Sequence, residues 1–467
     1  MTRTGTTHAP RTLVERVRAP LLIFLFSFVV LSLFSGDRFW RASPDNHFVY
    51  LADSMLHGTL EVRGNPPHGN DWASIDTLTL RSGETMRGMW WDRSEGKFLT
   101  TTGEFFDLSP LEMRGMQQDR TYYVSFPPTP SLLMMPGVLL WGMSFNDVIF
   151  TIFFASLNVS LFWLLLRDLY ERGRIRLLST DRLWLTAMFG FGTAHLWCSV
   201  QGAVWFTALV VGVTFTLLYM RAAIDARAPF WAGIFLGIAF AARTPLLYSV
   251  LFFAAFFFFP DGRLRRDWGA RFWVDGIKFA IGPLVVGLLL LWMNAVRFDD
   301  PGEFGHRYLA AGQIDRIKEY GLFNVHFLGR NLLAALALVP QFLPREPYVQ
   351  ISQHGMALWF STPAFLYFLT PRSPGERIDR VWLYIFALTL ASIALPHIFY
   401  QNTGWVQFGY RFSMDYLPYL VILLAFGRDR LSAFFKALIV LGFAVNAFGA
   451  ITFGRMAQFY GDWWIEP

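Results

Sequence analysis

A single cysteine, Cys198, stands in a chain of 467 residues, so no internal disulfide and no cysteine metal cluster can form. Charge is scarce as well: Asp, Glu, Lys and Arg make up 16% of the chain against 54% hydrophobic residues. At a mean hydropathy of +0.37, that little charge cannot cover a soluble domain of this length. Aromatic residues are abundant instead, with 18 tryptophans and 49 phenylalanines, which suit lipid contact and interfacial belts. The chain reads as an integral, polytopic membrane protein. Its net charge of +6 does not mark a nucleic-acid partner, because much of the Lys and Arg excess falls in short connections between apolar runs, where it sets orientation.

Those connections give an expected topology. Arg3, Arg11, Arg16 and Arg18 precede the first span, Leu21 to Ser35, and no small-residue cleavage site follows it. The span therefore reads as an uncleaved anchor with residues 1–20 cytoplasmic. Residues 36–144 then form a long extracytoplasmic loop. Ser131 to Trp141 within it is apolar but too short to cross, and counting it would put Arg167, Arg172, Arg174 and Arg176 outside; it reads as an interfacial or re-entrant helix. Further spans are expected at Phe145–Leu166, Leu183–Cys198, Val204–Met220, a hairpin of Phe230–Ala242 and Pro245–Phe259, Phe279–Val296, Met356–Leu369, Val381–Ile398, Phe412–Phe426 and Phe434–Phe453. The basic clusters at Arg263–Arg266, Arg372–Arg380 and Arg428–Lys436 then all lie inside. The expected fold is all-α, with about eleven transmembrane helices in a bundle over 145–453, an outer loop over 297–355, and residues 454–467 extracytoplasmic. No internal repeat is visible, which weighs against transporters built from inverted repeats.

The long first loop is where chemistry is expected. Ser43 suits an N-cap, Pro44 a first helical position and Gly58 a C-terminal stop, so one amphipathic helix is expected over Pro44–His57. Phe48, Leu51, Ala52, Met55 and Leu56 share its apolar face; His47, Tyr50, Ser54 and His57 lie opposite. Asp45 leans toward the apolar side, where a carboxylate is costly unless it has a role; the plain alternative is that it complements the helix dipole. Asp53 is the more solvent-facing acid. Further on, Thr77–Leu80 and Lys97–Thr102, with turn signals at Ser82-Gly83 and Glu95-Gly96, read as a small β excursion. Tyr122 and Tyr123, before Phe126-Pro127-Pro128, read as an aromatic approach to the interfacial helix that either lines an acceptor groove or seats the loop.

Four segments together resemble a family: "SPDNHFVYLADSMLHGTLEV" after the first span, "YYVSFPPTPSLLMMP" closing the loop, "NAVRFDDPGEFGHRY" after the seventh span and "GYRFSMDYLPYL" opening the tenth. In order and spacing they are similar to the GT-C glycosyltransferases of the polyprenyl-phosphate-sugar-dependent, mannosyltransferase-like kind. The resemblance implies an inverting transfer from a lipid-phosphate sugar donor to a glycan, lipid or protein acceptor, on the extracytoplasmic side of a bacterial-type plasma membrane. It implies an acidic residue of the first outer loop as catalytic base or acceptor-orienting group, which here is Asp45. Many relatives carry a second acid beside it; Asn46 stands there in this chain, so the sequence gives no support for a divalent metal.

The chemistry of such a transfer needs a base at the acceptor hydroxyl and cations or donors at the leaving phosphate. Candidate phosphate-binding residues are Arg411, Arg243, Arg297, His306 and Arg307, all near outer ends of spans, where short connections are usually poor in Arg. Their plain alternative is snorkelling or pairing with an acid, for Arg411 with Asp415 one turn on. Candidate acceptor or loop contacts are Asp53, Tyr122 and Tyr123. Asp299, Asp300, Glu303 and His306 read as solvated turn residues in preference to a metal site, and His195 and His397 as interfacial hydrogen-bonders. Two other functions compete: a transporter or flippase of lipid-linked glycans, which should bury charge in mid-span, and a polymerase- or ligase-type glycan transferase, whose large outer loop would come late in the chain.

Overall fold

The computed structural model describes residues 13–309, 314–370 and 377–463. Arg3 and Arg11, residues 371–376 of one expected basic cluster, and residues 464–467 lie outside the described residues. Among the described residues six helices are long and apolar enough to cross a membrane: Val17–Trp40, Asp147–Glu171, Val204–Ala226, Ala270–Phe298, Arg380–Phe399 and Ala433–Thr452. The second and third are mostly enclosed by protein, and the other four turn most of their length outward. Leu22, Phe26, Val29 and Leu33 on the first, and Ile277, Leu284, Leu288 and Trp292 on the fourth, are exposed. Apolar stripes of this extent suit lipid and not water. The protein is a helical, membrane-embedded one.

The two central helices are joined by polar bonds as well as apolar packing. Asn158 Nδ2 donates to the Val210 carbonyl at 2.9 Å, and Thr214 Oγ1 donates to Asn158 Oδ1 at 2.5 Å. Thr151 and Thr207 hydroxyls share a bond of 2.6 Å. Such cross-helix bonds are at home where no water competes. At the periphery, Pro229–Phe240 packs so tightly on Ala270–Phe298 that a Cβ on Gly233 would lie 2.0 Å from the Phe279 carbonyl oxygen, and one on Gly282 2.1 Å from that of Gly233.

The other expected crossings are built from shorter or broken pieces. The expected Leu183–Cys198 span is two helices, Ser179–Phe191 and Ala194–Ser199, because Thr193 Oγ1 accepts the His195 N–H and starts a new helix. The hairpin is Pro229–Phe240 followed by a 3-10 turn, Thr244–Ser249, and Val250–Phe258. Pro363 and Pro418 divide the remaining two: Leu358–Ser361 is followed by a 3-10 segment, Pro363–Leu369, and the 3-10 turn Arg411–Asp415 precedes Leu417–Leu423. A proline cannot donate into the helix ladder, and neighbouring segments must satisfy what it leaves open.

The all-α expectation needs correction. The long loop after the first helix holds a five-stranded antiparallel sheet: β1 Trp72–Thr79, β2 Thr85–Asp92, β3 Lys97–Thr100, β4 Phe105–Asp107 and β5 Gln117–Val124, in the order β4-β3-β2-β1-β5. The expected turns at Gly83 and Gly96 are present, each with positive φ. β1 pairs with β5 along its whole length, from Trp72 opposite Val124 to Thr79 opposite Gln117. Tyr122 and Tyr123 are therefore strand residues, at the end of β5 and ahead of the helix Thr129–Trp141. Asp299 is exposed, as expected, and it also accepts two bonds from Arg87 of β2, at 2.9 and 2.8 Å, and one from Thr101 at 2.8 Å, fixing the sheet to the end of Ala270–Phe298. A second, three-stranded sheet joins Gln341–Phe342, Val349–Ser352 and Tyr460–Gly461.

The glycine contact gives a test of the packing. Gly282→Ala should destabilise the protein by about 1–3 kcal/mol, the usual cost of overpacking, and lower its thermal midpoint in detergent followed by size-exclusion. Gly287→Ala, whose Cβ would meet its nearest atom at 3.9 Å, should leave the midpoint unchanged. Equal midpoints for the two variants would refute the close approach.

Candidate functional site

The helix of the first loop begins later than its cap residues suggest. It spans His47–Leu56, with Asn46 at the N-cap. Ser43 cannot cap it, because its N–H and hydroxyl both donate to the Asp147 carboxylate, at 2.7 and 2.5 Å. Pro44 and Asp45 thus form a turn ahead of the helix, and that turn is held from three sides. The Asp45 carbonyl accepts the Val204 N–H at 3.0 Å, His68 Nε2 donates to the Pro44 carbonyl at 2.9 Å, and the Asp45 carboxylate faces Asn70 Nδ2 at 3.4 Å and His68 Nε2 at 3.5 Å. Burial raises the Asp45 pKa, against the opposing pull of His68 and the Asn70 amide.

His47, expected on the solvent side of the helix, is instead buried. Its ring stacks on Trp72 at 3.9 Å, and its Nε2 donates to the Asn70 carbonyl at 3.0 Å. Burial lowers its pKa to about 4, so it is neutral in this role. The bond fixes the turn before β1, and there the structure adds an acid that sequence reasoning missed. Asp71 has φ of 55°, a left-handed conformation that Asp tolerates better than most residues. Its Oδ2 accepts the Trp205 Nε1–H at 2.7 Å. Burial raises its pKa too, with Trp205 and Arg411 opposing and Asp45 adding. The first turn of Val204–Ala223 therefore holds both acids, one by backbone and one by indole.

Asp45 and Asp71 line one cavity of about 1840 Å³, together with Arg243, His306 and Arg411. Arg411 lies in its wall with the guanidinium 5.4 Å from the Phe206 ring, 5.8 Å from Phe412 and 6.0 Å from Trp205. The expected alternative, a pair with Asp415, is corrected by the structure. The Asp415 carboxylate takes both Nε and Nη2 of Arg243, at 3.2 and 2.8 Å, and His397 Nε2 lies 3.0 Å away. Among the described residues Arg411 forms no ion pair, and its backbone N–H donates to Gln407 Oε1 at 2.8 Å. His306 is held neutral: burial and then Arg243 lower its pKa to about 4.

The other sequence candidates lie elsewhere. Arg297 is buried and donates to the Val124 and Met293 carbonyls and to Asn294 Oδ1, at 2.5, 3.2 and 2.7 Å; it ties β5 to its own helix. Arg307 pairs with Glu303 at 3.5 Å, and Asp53 with Arg63 at 3.2 Å. Tyr122 packs in the sheet's core beside Trp72. Tyr123 donates to Glu61 at 3.2 Å and borders a separate apolar cavity of about 750 Å³. None of these five lines the large cavity. His195 is buried and shares a bond with the Gly190 carbonyl. Among the described residues no group of three or more His, Cys, Asp or Glu is placed to hold a metal ion.

Comparison with protein-family models, curated proteins and solved structures finds no match. The chemical reading of the cavity therefore rests on its own geometry: two carboxylates of raised pKa and a guanidinium that has aromatic rings around it and no ion pair among the described residues, with membrane helices about them.

The buried triad at the hairpin tip can be tested for stability. Asp415→Ala leaves Arg243 without its partner and should cost about 3–5 kcal/mol. Adding Arg243→Met removes the orphaned charge and should recover most of the loss in thermal unfolding. A double variant no more stable than Asp415→Ala would show that the pair is not the unit of stability.

Proposed function

We propose that the protein is a membrane-embedded glycosyltransferase of GT-C type. It moves a sugar, with inversion, from a polyprenyl-phosphate donor to an acceptor hydroxyl on the extracytoplasmic side of the plasma membrane. In this reading the chain crosses about eleven times, the shorter and broken helices completing the set. The N-terminal residues are then cytoplasmic, and the sheet-bearing first loop and the cavity lie outside.

The observation that carries the reading is the placing of Asp45 and Arg411 on one cavity, with Arg411 free of any ion pair among the described residues. A buried cation whose donors hold no carboxylate is costly unless an anion visits it. Prenyl phosphate supplies such an anion, and its chain suits the surrounding lipid. The Asp45 carboxylate accepts the proton of the acceptor hydroxyl as the oxygen bonds to the anomeric carbon. The bond from that carbon to the phosphate oxygen breaks on the opposite face. The phosphate leaves with the electron pair, and the guanidinium of Arg411 meets the growing charge with two parallel donors. Asp71 and Trp205 shape the wall between them. No step needs a metal.

Two outcomes test this assignment. Asp45→Asn keeps the shape of the turn and removes the base, so turnover of a prenyl-phosphate sugar should fall on the order of 10²- to 10⁴-fold while the melting profile is retained. Near-normal turnover would shift the role to Asp71. The pH profile gives the second. Asp45 serves only when ionised, and burial raises its pKa. Activity should therefore be full above an acid limb that lies higher than an ordinary carboxylate's, and be lost as pH falls through it. His68 draws that limb down, so His68→Gln should move it to higher pH; an unmoved or lowered limb would separate Asp45 from the titrating base.

A further inference from the structure

The cavity has a second basic wall that the transfer step does not use. Arg316 and Arg330 project from two outer-loop helices, Ile314–Tyr320 and Leu328–Leu336, and His354 follows the strand Val349–Ser352; all three line the cavity. Two of them meet one stretch of chain. Arg316 Nη1 donates to the Gln401 carbonyl at 3.3 Å, and His354 Nδ1 lies 2.8 Å from Thr403 Oγ1. Arg330 and Arg316 both act on the His354 ring, which together with burial lowers its pKa to about 4. The permanent cations of this wall are the guanidiniums of Arg316 and Arg330. Among the described residues the only carboxylate lining this side is Asp462, near His354.

Trp405 completes the wall. Its indole is 41% exposed and lines the cavity, an apolar plane of the size of a sugar ring's C–H face. The Gln407 side chain ties this wall to the other: its Nε2 donates to the His354 and Thr403 carbonyls, both at 2.8 Å, and its Oε1 accepts the Arg411 N–H at 2.8 Å. A prenyl chain must stay in lipid, whereas a wall made by the outer loop and the 401–405 segment is approached from water. Guanidiniums beside an open aromatic plane suit a sugar that carries an anionic group.

We propose that this wall is the acceptor subsite and that the acceptor is an anionic glycan. One of its sugars stacks on Trp405, and its carboxylate or phosphate ester is held by Arg316 and Arg330. The inference rests on the glycosyltransferase reading of the cavity.

The full-length protein in lipid nanodiscs is titrated calorimetrically with three kinds of probe. Oligogalacturonate is set against its methyl ester, a phosphorylated mannose oligosaccharide against its neutral counterpart, and farnesyl phosphate stands for the donor. One of the two anionic glycans should bind at least tenfold more tightly than its neutral partner at low salt, and the gain should shrink as salt rises. Which of the two gains tells carboxylate from phosphate ester. Arg316→Gln with Arg330→Gln should abolish that gain and leave farnesyl phosphate binding intact, Arg411→Gln should do the reverse, and Trp405→Ala should weaken every glycan. If neither anionic glycan outbinds its neutral partner on the unaltered protein, the inference fails whether or not any variant folds. It fails equally if the double variant loses farnesyl phosphate and keeps the glycan, since the wall is then a donor-phosphate site. Failure of farnesyl phosphate to bind the unaltered protein is a separate result, and counts against the transferase reading itself.

Discussion

The Asp147 carboxylate, buried at the start of a central helix, takes both polar hydrogens of Ser43, and the entry to the long first loop is positioned from that clamp. It denies Ser43 to the following helix and turns the chain at Pro44-Asp45. It also brings the Asp45 carbonyl onto the Val204 N–H of the other central helix. An exposed Ser–Asp bond would be worth little; enclosed, it is costly to break because each partner would be left without water. The base proposed for the reaction is thereby tied to the two helices most enclosed in the bundle, which suits a group that must hold its place against a reacting centre.

The same low-dielectric setting sorts the arginines. Arg243 has a carboxylate with two oxygens on its fork and His397 beside that carboxylate, so its charge is internally balanced. Arg297 spends its donors on backbone and amide oxygens. Arg411 has aromatic faces around it and no such partner among the described residues. Rings attract a cation weakly and leave its hydrogen-bond donors free for an incoming oxyanion. The distinction between a structural and a binding guanidinium lies in what each one's donors already hold.

Much of this was legible in the residues, and the rest was hidden for definite reasons. Apolar length and charge placement mark the six long helices, because crossing lipid constrains both. The acidic start of the first loop, and Arg411 ahead of its helix, were visible as charges in places where charge is expensive. The reach of the helix from Pro44 was misjudged because Ser43 looks like a cap, and only the partner 104 residues away shows it is engaged. The sheet was seen as two short strands: β2 and β5 carry Arg, Gln and Gly beside their apolar residues, which blurs the alternation that marks a half-buried strand. Breaks at Thr193, Pro363 and Pro418 were read through, since hydropathy averages over them.

Asp71 is the clearest case of a site residue that local pattern cannot reveal. In sequence it belongs to an ordinary polar turn, Gly69-Asn70-Asp71, ahead of a strand. Its meaning comes from three distant residues: His47, which holds the Asn70 carbonyl; Trp205, whose indole takes the carboxylate; and Val124, whose pairing with Trp72 fixes where β1 begins. Each belongs to a different element, so Asp71 reaches the cavity wall only once helix, sheet and bundle are all in place. The sheet is thus not an appendage to the bundle, because it delivers the second acid to a cavity whose first acid the bundle holds. A chain in which Asn46 stands where a neighbouring acid could have been thereby places two carboxylates on one cavity by folding instead of by adjacency.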